Sequence, residues 1–400
     1  MQAIKELYKI GKGPSSSHTL APERACRYFV QVFGFFPYYE AELFGSLSFT
    51  GKGHRTDEVI KDTLPGVTTV IFSQNWNENF PNGFYLRALN EKKEVVHQWT
   101  VFSLGGGSIQ IKEYPLQWNN KIYHEKNLKE ILELCKTKQI LLTDYIYTHE
   151  PDLKEYLSEI LQAMIQCVEH GLQAEGMLPG KLHMERSAKH LYMNACQADI
   201  NDQKNLKLMA FAYAASEENA AGDTCVTAPT LGACGVMASY MYYAAMILKL
   251  PKEKIIDSIA VGGLFGNLIK TNATISGAVG GCQAEVGAAV SMTAASCAYL
   301  MGMGMNQIEY AAEIAMEHNL GLTCDPVMGY VMIPCIERNA MGVLRAVESA
   351  QLSKYMSAIR KHLISFDMVV KTMNDTGKQI PIELKETSEG GLAKEYDDKR

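Results

Sequence analysis

Three cysteines in the last third of the chain carry the side chain best suited to bind a soft metal. They are Cys282 in VGGCQAE, Cys324 in TCDPVMG and Cys335 in IPCIERN, each close to Gly or Pro. These neighbours break helices, so a thiolate can project from a turn in which backbone N–H groups approach the sulfur. The spacing C-x41-C-x10-C has none of the close cysteine pairs that mark zinc and ferredoxin sites. Spacing alone therefore leaves buried structural cysteine as the favoured alternative to a metal site.

A second group of reactive side chains lies near the start of the chain, in GKGPSSSHT. This motif places Ser15, Ser16, Ser17, His18 and Thr19 in one run. Clustered hydroxyls and an imidazole suit a phosphate cradle, half of an active site or a solvated loop. The run lacks the lysine of a P-loop, so by itself it does not distinguish these three roles.

A second histidine, His54, ends the motif TGKGH, in which two glycines allow a sharp turn that presents the ring. Imidazole is the side chain whose ordinary pKa suits proton transfer near neutral pH. A structural or surface role is the usual alternative for an isolated histidine. At His18 and His54 the residues alone leave that alternative open.

The composition sets the class of protein that must position these residues. The chain has 400 residues, 47% apolar and 20% charged, which suits a globular protein of two or three domains. A net charge of −6 argues against a nucleic-acid partner, because phosphate binding needs a basic face. We expect a small-molecule partner instead. The opening MQAIKELYKIGKG does not resemble a secretory signal and ten cysteines are too sparse for a disulfide scaffold, so we expect a cytoplasmic protein.

The pattern of apolar residues divides the chain in two. Between about residues 40 and 112, short β-branched or aromatic segments alternate with Gly, Pro and Asn turns, which is typical of strands. A helix is predicted before them in PERACRYFVQVFG, and SLGGGS at 103–108 predicts a turn that joins two strands. After residue 125, apolar residues recur every three or four positions, which predicts helices.

The predicted fold class is therefore α+β, with a small N-terminal α/β domain followed by an all-helical catalytic domain. The predicted domains are residues 1–125 and 126–382, with a C-terminal tail at 383–400. Two uncharged stretches, 226–248 and 286–308, are long enough to cross a bilayer. Their many small residues and Pro229 equally suit helices buried on all sides, so we predict no membrane span.

Motif after motif in the same order, the chain resembles the iron–sulfur L-serine dehydratases (L-serine ammonia-lyases) in their single-chain form. The matching motifs are GPSSSHT, GSLSFTGKGHRTD, VFSLGGG, MEHNLGLTCDPV, IPCIERNA and KETSEGGLA, over about residues 4–393. The resemblance implies that Cys282, Cys324 and Cys335 hold a [4Fe–4S] cluster, with one iron left open to substrate. It implies no pyridoxal phosphate. The remaining cysteines match no ligand position of the family: Cys26, Cys135, Cys167, Cys196, Cys225, Cys234 and Cys297.

The resemblance also implies the reaction. L-serine would lose water by α,β-elimination and end as pyruvate and ammonia, in serine catabolism or gluconeogenesis, with iron as the Lewis acid. His54 would be the base, with His18 beside it, in a homodimer. The serine-rich run would hold the substrate carboxylate or order the hydroxyl at iron. The candidates for substrate binding are Ser15, Ser16, Ser17, Thr19, Lys52, Asn272, Arg338 and Asn339.

Several departures from the family pattern leave the substrate open. Leu231 stands where the family ordinarily has Asn, and Tyr330 and Met332 stand where it is usually polar. Pocket polarity decides which amino acid is accepted. The chain also lacks the terminal cysteine that commonly reaches the cluster. Either an oxygen of Asp397 or Asp398 approaches the open iron, or GGLAKEYDDKR forms a disordered charged tail, which we expect.

Three alternatives remain open at this point. A related lyase would use the same centre to eliminate sulfide from cysteine, or water from threonine or a bulkier hydroxy acid. A non-catalytic amino-acid sensor would bind ligand at the serine-rich run without turnover. A zinc site would use the same cysteines without iron.

Overall fold

The computed structural model describes residues 1–73, 82–114, 116 and 121–397. Within them the strands are β1 (Ile10–Lys12), β2 (Tyr38–Gly45), β3 (Val67–Phe72), β4 (Asn82–Leu89), β5 (Val95–Ser103), β6 (Ile109–Ile111) and β7 (Thr224–Val226). The main sheet has the order β3-β2-β4-β5-β6, in which β2 and β3 are parallel and the other pairs antiparallel. The predicted strand-rich region is therefore confirmed.

The sheet is built from alternating side chains. In β2, Tyr39, Ala41 and Leu43 point into the core, whereas Glu40 and Glu42 face outward and bind Arg87 of β4. This alternation is what a sheet with one covered face requires. The sheet and its helices enclose one apolar core. The predicted turn at 103–108 joins β5 to β6 and contains three glycines with positive φ.

The helices of the N-terminal region are short. They are α1 (Ala21–Phe33), α2 (Ser46–Phe49) and α3 (Thr56–Thr63). The predicted helix in PERACRYFVQVFG is confirmed as α1, which has Pro22 in its first turn and buries Ala25, Cys26 and Phe29. Pro is tolerated at that point because the first N–H groups of a helix have no partner within the helix.

The rest of the chain is helical, as predicted. Its helices are α4 (Leu128–Lys138), α5 (Leu142–His149), α6 (Leu153–Gln173), α7 (Ala188–Gln197), α8 (Ile200–Ala221), α9 (Cys234–Tyr242), α10 (Lys252–Asn272), α11 (Gly277–Gly280), α12 (Val286–Leu300), α13 (Met305–Glu317), α14 (Cys335–Met356), α15 (Phe366–Gln379) and α16 (Gly391–Asp397). At the centre, α12 packs against α9, α10, α13 and α14, and every α12 side chain except that of Tyr299 is buried.

The uncharged stretches are helices packed inside this bundle. Small residues let the helices approach one another closely, as at Gly262, where an added Cβ would lie 2.4 Å from the hydroxyl of Ser296. Across the described ranges, no helix combines the length and the apolar character needed to span a membrane.

The two regions are joined by the N-terminal segment. β1 pairs with β7, which lies between α8 and α9 of the helical region. Ile4, Leu7 and Tyr8 lie in the apolar core of the helical region, and the Tyr8 hydroxyl donates to the carbonyl of Ile259. The serine-rich run leaves β1 directly, so it lies between the two regions.

The prediction that GGLAKEYDDKR is disordered is wrong for residues 390–397, and the segment before it is also ordered. Cys324 N–H donates to Leu384 O, and Glu386 N–H donates to Cys324 O, so the segment runs alongside Cys324 like a short parallel strand. Leu392 N–H then donates to Asp325 at 2.8 Å, where α16 begins. The Asp397 side chain and Asp398 lie outside the described part of the chain.

Candidate active site

One turn, one loop and one helix start bring the predicted cysteines to a single cavity. Cys282 begins a short 3-10 turn before α12, Cys324 lies in the loop between α13 and α14, and Cys335 is the first residue of α14. All three line the same cavity as Ser15 and His54. Residues separated by more than 260 positions in the sequence therefore meet at one site.

Three cysteine thiols that line one cavity are a donor set that can hold an iron–sulfur cluster. Each cysteine of a cluster binds a different iron, so the sulfurs must surround a space and not converge on one point. Burial raises the pKa of the Cys282 thiol to about 11, and burial also raises the pKa of Cys324 and Cys335. Bound metal reverses this effect because a coordinating thiol is deprotonated by the metal charge. The donor set is therefore suited to a cationic centre.

Arg338 places positive charge beside the cysteines. It lines the cavity and hydrogen-bonds Cys282, and its guanidinium donates to Thr323 O at 2.6 Å and to Asp325 at 3.2 Å. These contacts fix the guanidinium in one position. Arg338 therefore lies where the sequence predicted a charged site residue.

His54 presents one nitrogen to the cavity. Its Nδ1 lies 2.9 Å from the backbone carbonyl of Thr50, which only accepts, so Nδ1 carries the hydrogen and Nε2 has a free lone pair. The ring is 1% exposed, and burial lowers the pKa of His54 to about 4. His54 is therefore neutral near pH 7, with Nε2 available as a proton acceptor.

His18 lies directly behind His54. The two rings stack with centroids 4.1 Å apart. His18 Nε2 lies 3.1 Å from Ser46 O, so it carries the hydrogen, and Nδ1 is left to accept from the Ser15 hydroxyl at 3.1 Å. Burial and the adjacent His54 hold the pKa of His18 well below its usual range. Because His18 does not line the cavity, its contacts suit a positioning residue.

The serine-rich run contributes one side chain to the cavity, Ser15. Ser16 and Ser17 are buried, and the Ser16 hydroxyl has no hydrogen-bond partner among the described residues. The Thr19 hydroxyl donates to backbone carbonyls, at 2.6 Å to Ser15 O and 2.9 Å to Lys12 O. Thr19 therefore holds the turn together, and it does not line the cavity.

Two further predicted substrate-binding residues are not in the cavity. The Lys52 side chain is 71% exposed and lies 2.5 Å from Asp57, above the ring of Phe72. Asn272 ends α10 at an exposed position and donates to Lys126 O. The structure therefore does not bring these two side chains to the cavity, because each binds a partner at the surface.

Asn339 has a supporting role. Its side-chain amide donates to Gly232 O and to Cys335 O, both at 2.8 Å. It therefore ties the loop before α9 to the start of α14, where both meet the cavity. It does not line the cavity itself.

Two carboxyls were missed by the sequence analysis. Glu386 lies 3.9 Å from His54 Nε2 and 3.7 Å from His18 Nδ1, and it accepts from the Ser46 hydroxyl at 3.1 Å. Glu285 lies 3.9 Å from the Cys324 sulfur. Burial raises the pKa of Glu386 well above its usual range and that of Glu285 to about 7. Both lay within quoted motifs, but nothing in their local spacing marked them.

The unusual apolar residues flank the cavity. Leu231 and Met332 are buried, and the Tyr330 hydroxyl accepts from Lys181 N–H at 3.2 Å. The residue that does line the cavity is Val331, together with Gly232. The polarity of this wall is therefore low, as the departures from the family pattern suggested.

A cavity that combines three thiols, a neutral imidazole and two carboxyls, of which Glu386 is buried, is typical of a metal-dependent enzyme. The profile of the serine dehydratase alpha chain matches residues 88–393, and that of the serine dehydratase beta chain matches residues 3–69. The chain belongs to the serine dehydratase family.

Named relatives cover nearly the whole chain. An L-serine dehydratase of Haemophilus influenzae is 36% identical over 456 aligned residues, covering 98% of this chain and 99% of that protein. L-serine dehydratase 1 of Escherichia coli is 36% identical, covering 98% and 99% of the two chains. An L-serine dehydratase of Helicobacter pylori is also 36% identical, covering 98% of each.

Proposed function

We propose that this protein is an L-serine ammonia-lyase that converts L-serine to pyruvate and ammonia. One observation supports the proposal most directly: the neutral imidazole of His54 lines the same cavity as the thiols of Cys282, Cys324 and Cys335. The names of the relatives, all L-serine dehydratases, support the substrate.

Within this proposal, Cys282, Cys324 and Cys335 hold a [4Fe–4S] cluster. Such a cluster supplies a Lewis acid that makes the β-hydroxyl of serine a better leaving group. No pyridoxal phosphate is required, because the base and the Lewis acid together activate the substrate. Three thiols that line one cavity, together with the relatives named L-serine dehydratase, support this assignment.

His54 is the proposed general base. The hydrogen bond from Nδ1 to Thr50 O fixes the tautomer, so Nε2 can take the α-proton of the substrate. The proton then rests on an imidazolium whose nearest acidic group is Glu386, 3.9 Å away. An ionised Glu386 stabilises that imidazolium, which makes the weakly basic His54 of the free protein a stronger base at the moment of transfer.

Ser15 and Arg338 are the proposed substrate contacts. The Ser15 hydroxyl donates to His18 Nδ1, and Ser15 lines the cavity. Its oxygen can therefore accept a hydrogen bond from the substrate and hold the substrate in position. Arg338 supplies fixed positive charge, which favours the carbanion that develops at the α-carbon. Ser16 and Ser17 stay candidates, because both are buried close to Ser15 in the same turn.

We extend the proposal to the biological setting that the family resemblance implies. The enzyme would act as a homodimer in the cytoplasm, in serine catabolism or gluconeogenesis. The proposed domains are residues 1–125, which carry Ser15, His18 and His54, and 126–382, which carry the cysteines. The C-terminal segment contributes to the proposed site through Glu386.

A second candidate is a lyase for a less polar β-substituted amino acid. The apolar side chain of Val331 in the cavity wall favours it. Initial rates of the anaerobically reconstituted enzyme on L-serine, L-threonine and L-cysteine separate the two candidates. We expect pyruvate from L-serine with the highest kcat/KM. A higher kcat/KM for L-threonine or L-cysteine would overturn the substrate assignment, and binding of L-serine without any product would favour a sensor.

A further inference from the structure

Three cysteines outside the candidate active site lie close together in the helical region. Cys167 is on α6, Cys225 is on β7 and Cys234 begins α9. The sulfurs of Cys167 and Cys225 are 3.4 Å apart, and Cys225 also hydrogen-bonds Cys234. All three thiols share one acceptor, the carbonyl of Ala215. We call Cys167, Cys225 and Cys234 the thiol cluster.

One member of the thiol cluster, Cys167, is 4% exposed and lines a cavity that opens to solvent. Cys167 forms part of the wall of an open cavity of about 450 Å³, with His170 and Thr224. Cys225 is fully buried, and Cys234 is 2% exposed. A small oxidant that enters this cavity meets Cys167 first, and Cys225 lies directly behind it.

We propose that the thiol cluster is an oxidation site, in which a peroxide converts Cys167 and Cys225 to a disulfide that Cys234 can exchange. The Cys167 thiolate attacks a peroxide oxygen, the O–O bond breaks, and the sulfur becomes a sulfenic acid as one water leaves. The Cys225 sulfur then attacks that sulfur, the S–O bond breaks, the S–S bond forms, and a second water leaves. Two thiols lose two electrons, and the peroxide gains them.

The order of attack follows from the local hydrogen bonds. Cys225 donates its S–H toward Cys167, which favours the thiolate at Cys167, although burial leaves the pKa of Cys167 raised overall. The pKa of Cys225 is raised further by its hydrogen bonds to both neighbours and by burial. Because thiolate is the reacting form, oxidation is slow and begins at Cys167. The Cys234 thiolate can later attack Cys225, which breaks the first S–S bond and restores the Cys167 thiol.

The thiol cluster is connected to the candidate active site by two short segments. Cys225 pairs with Gly11 of β1, four residues before Ser15. Cys234 follows Gly232, which lines the active-site cavity, by two residues. Formation of a bond requires the Cys225 sulfur to move toward its neighbour, and both connected segments move with it. We expect lower turnover in the disulfide form; this effect rests on the proposed function, whereas the disulfide itself does not.

Peptide mapping of the wild-type enzyme tests the disulfide. The holoenzyme is treated with excess hydrogen peroxide under argon, alkylated in denaturant and digested without reduction. We expect peptides that join Cys225 to Cys167 or to Cys234. The exposed Cys196 reports that oxidant was delivered, and the isolated buried Cys297 should stay alkylated. If Cys196 is oxidised while Cys225 is recovered as a free thiol, the oxidation site is refuted.

Turnover tests the connection to the active site. Diamide, which takes two electrons and two protons from a thiol pair, should lower the activity of the wild type, and dithiothreitol alone should restore it without added iron. Cys225→Ala must first show a native melting transition. In this variant, diamide should cause no loss of activity that dithiothreitol can reverse. If dithiothreitol restores the same activity to diamide-treated wild type and Cys225→Ala, the thiol cluster does not control turnover. A failure of untreated enzyme to turn over L-serine would count against the proposed function instead.

Discussion

The rings of His18 and His54 are stacked at 4.1 Å with 17° between their planes, and Glu386 lies within 4 Å of both. Two imidazoles this close, both buried, are not expected to carry positive charge together. When His54 takes up a proton, His18 therefore stays neutral. The pair and Glu386 act as a unit that accepts one proton from the cavity.

Replacement of the base should remove turnover and leave the metal centre intact. In His54→Asn, the Asn amide can still donate to Thr50 O, but no basic nitrogen faces the cavity. We expect kcat to fall by about 10²- to 10⁴-fold, with unchanged iron per chain. His124→Asn, at an exposed histidine, is the control and should keep wild-type turnover. Loss of iron in His54→Asn would indicate a structural role instead.

The buried neutral His54 should make the protein less stable in acid. Its folded pKa of about 4 lies below the unfolded value of about 6.5. The unfolded chain therefore binds more protons between these pH values, and stability falls as pH falls. The contribution of His54 is about 3 kcal/mol, complete above pH 6.5 and lost by about pH 4. Urea unfolding of wild type and His54→Asn across this range measures it. Identical pH dependences in the two proteins would contradict the low pKa.

Glu386 should matter for turnover more than for folding. Burial raises the pKa of its carboxyl, and Gln keeps the size of the side chain and an oxygen that can accept from the Ser46 hydroxyl. Glu386→Gln should therefore change the free energy of unfolding by less than about 1 kcal/mol. It should lower kcat by about tenfold or more, because the imidazolium of His54 loses its acidic neighbour. Glu383→Gln, at an exposed position in the same segment, serves as the matched control. Wild-type kcat in Glu386→Gln would exclude this role.

The docking of α16 can be tested at one glycine. Gly391 has a φ of +59°, and an added Cβ would lie 2.3 Å from the carboxylate of Asp325. Gly391→Ala should destabilise the protein by about 2 kcal/mol more than Gly302→Ala, and iron binding should weaken because Asp325 adjoins Cys324. Gly302 has a φ of +76° and open space around it, so it reports the backbone cost alone. Equal melting temperatures would show that α16 does not press on Asp325.

Lys52 and Asn272 should be dispensable for substrate binding. Lys52→Met removes a charge that is 71% exposed and paired with Asp57, and Asn272→Ala removes one exposed hydrogen bond. We expect KM for L-serine within about twofold of wild type in both, because surface pairs contribute little. Steady-state kinetics of the reconstituted enzyme measures this. A KM raised tenfold or more in either variant would show that the replaced residue does contribute to substrate binding.

The sequence predicted the parts of the site that its motifs mark. The three cysteines and His54 meet at one cavity, and the strand-rich and helical regions fall where the residue patterns indicated. Each of these depended on residue type and local spacing, which a sequence displays directly. The family resemblance then indicated which cysteines to group.

The sequence does not show which side chains of a motif enter the cavity, because that depends on the packing of the folded chain. Glu386 is buried because residues 384–386 run alongside Cys324, a pairing that no local pattern specifies. Lys52 also lies in a family motif, but its side chain donates to Asp57, five residues away, and lies at the surface. Motif membership predicted that both segments matter, but only the packing distinguishes a side chain that enters the cavity from one that leaves it.

The ligand assignment is tested most directly by iron and sulfide analysis of Cys335→Ala after anaerobic reconstitution, beside Cys297→Ala. Cys297 is buried in α12 and controls for the loss of an interior thiol. If Cys335 binds the cluster, Cys335→Ala loses the iron–sulfur absorption band and pyruvate formation from L-serine, whereas Cys297→Ala keeps both. Wild-type iron, sulfide and turnover in Cys335→Ala would contradict the account.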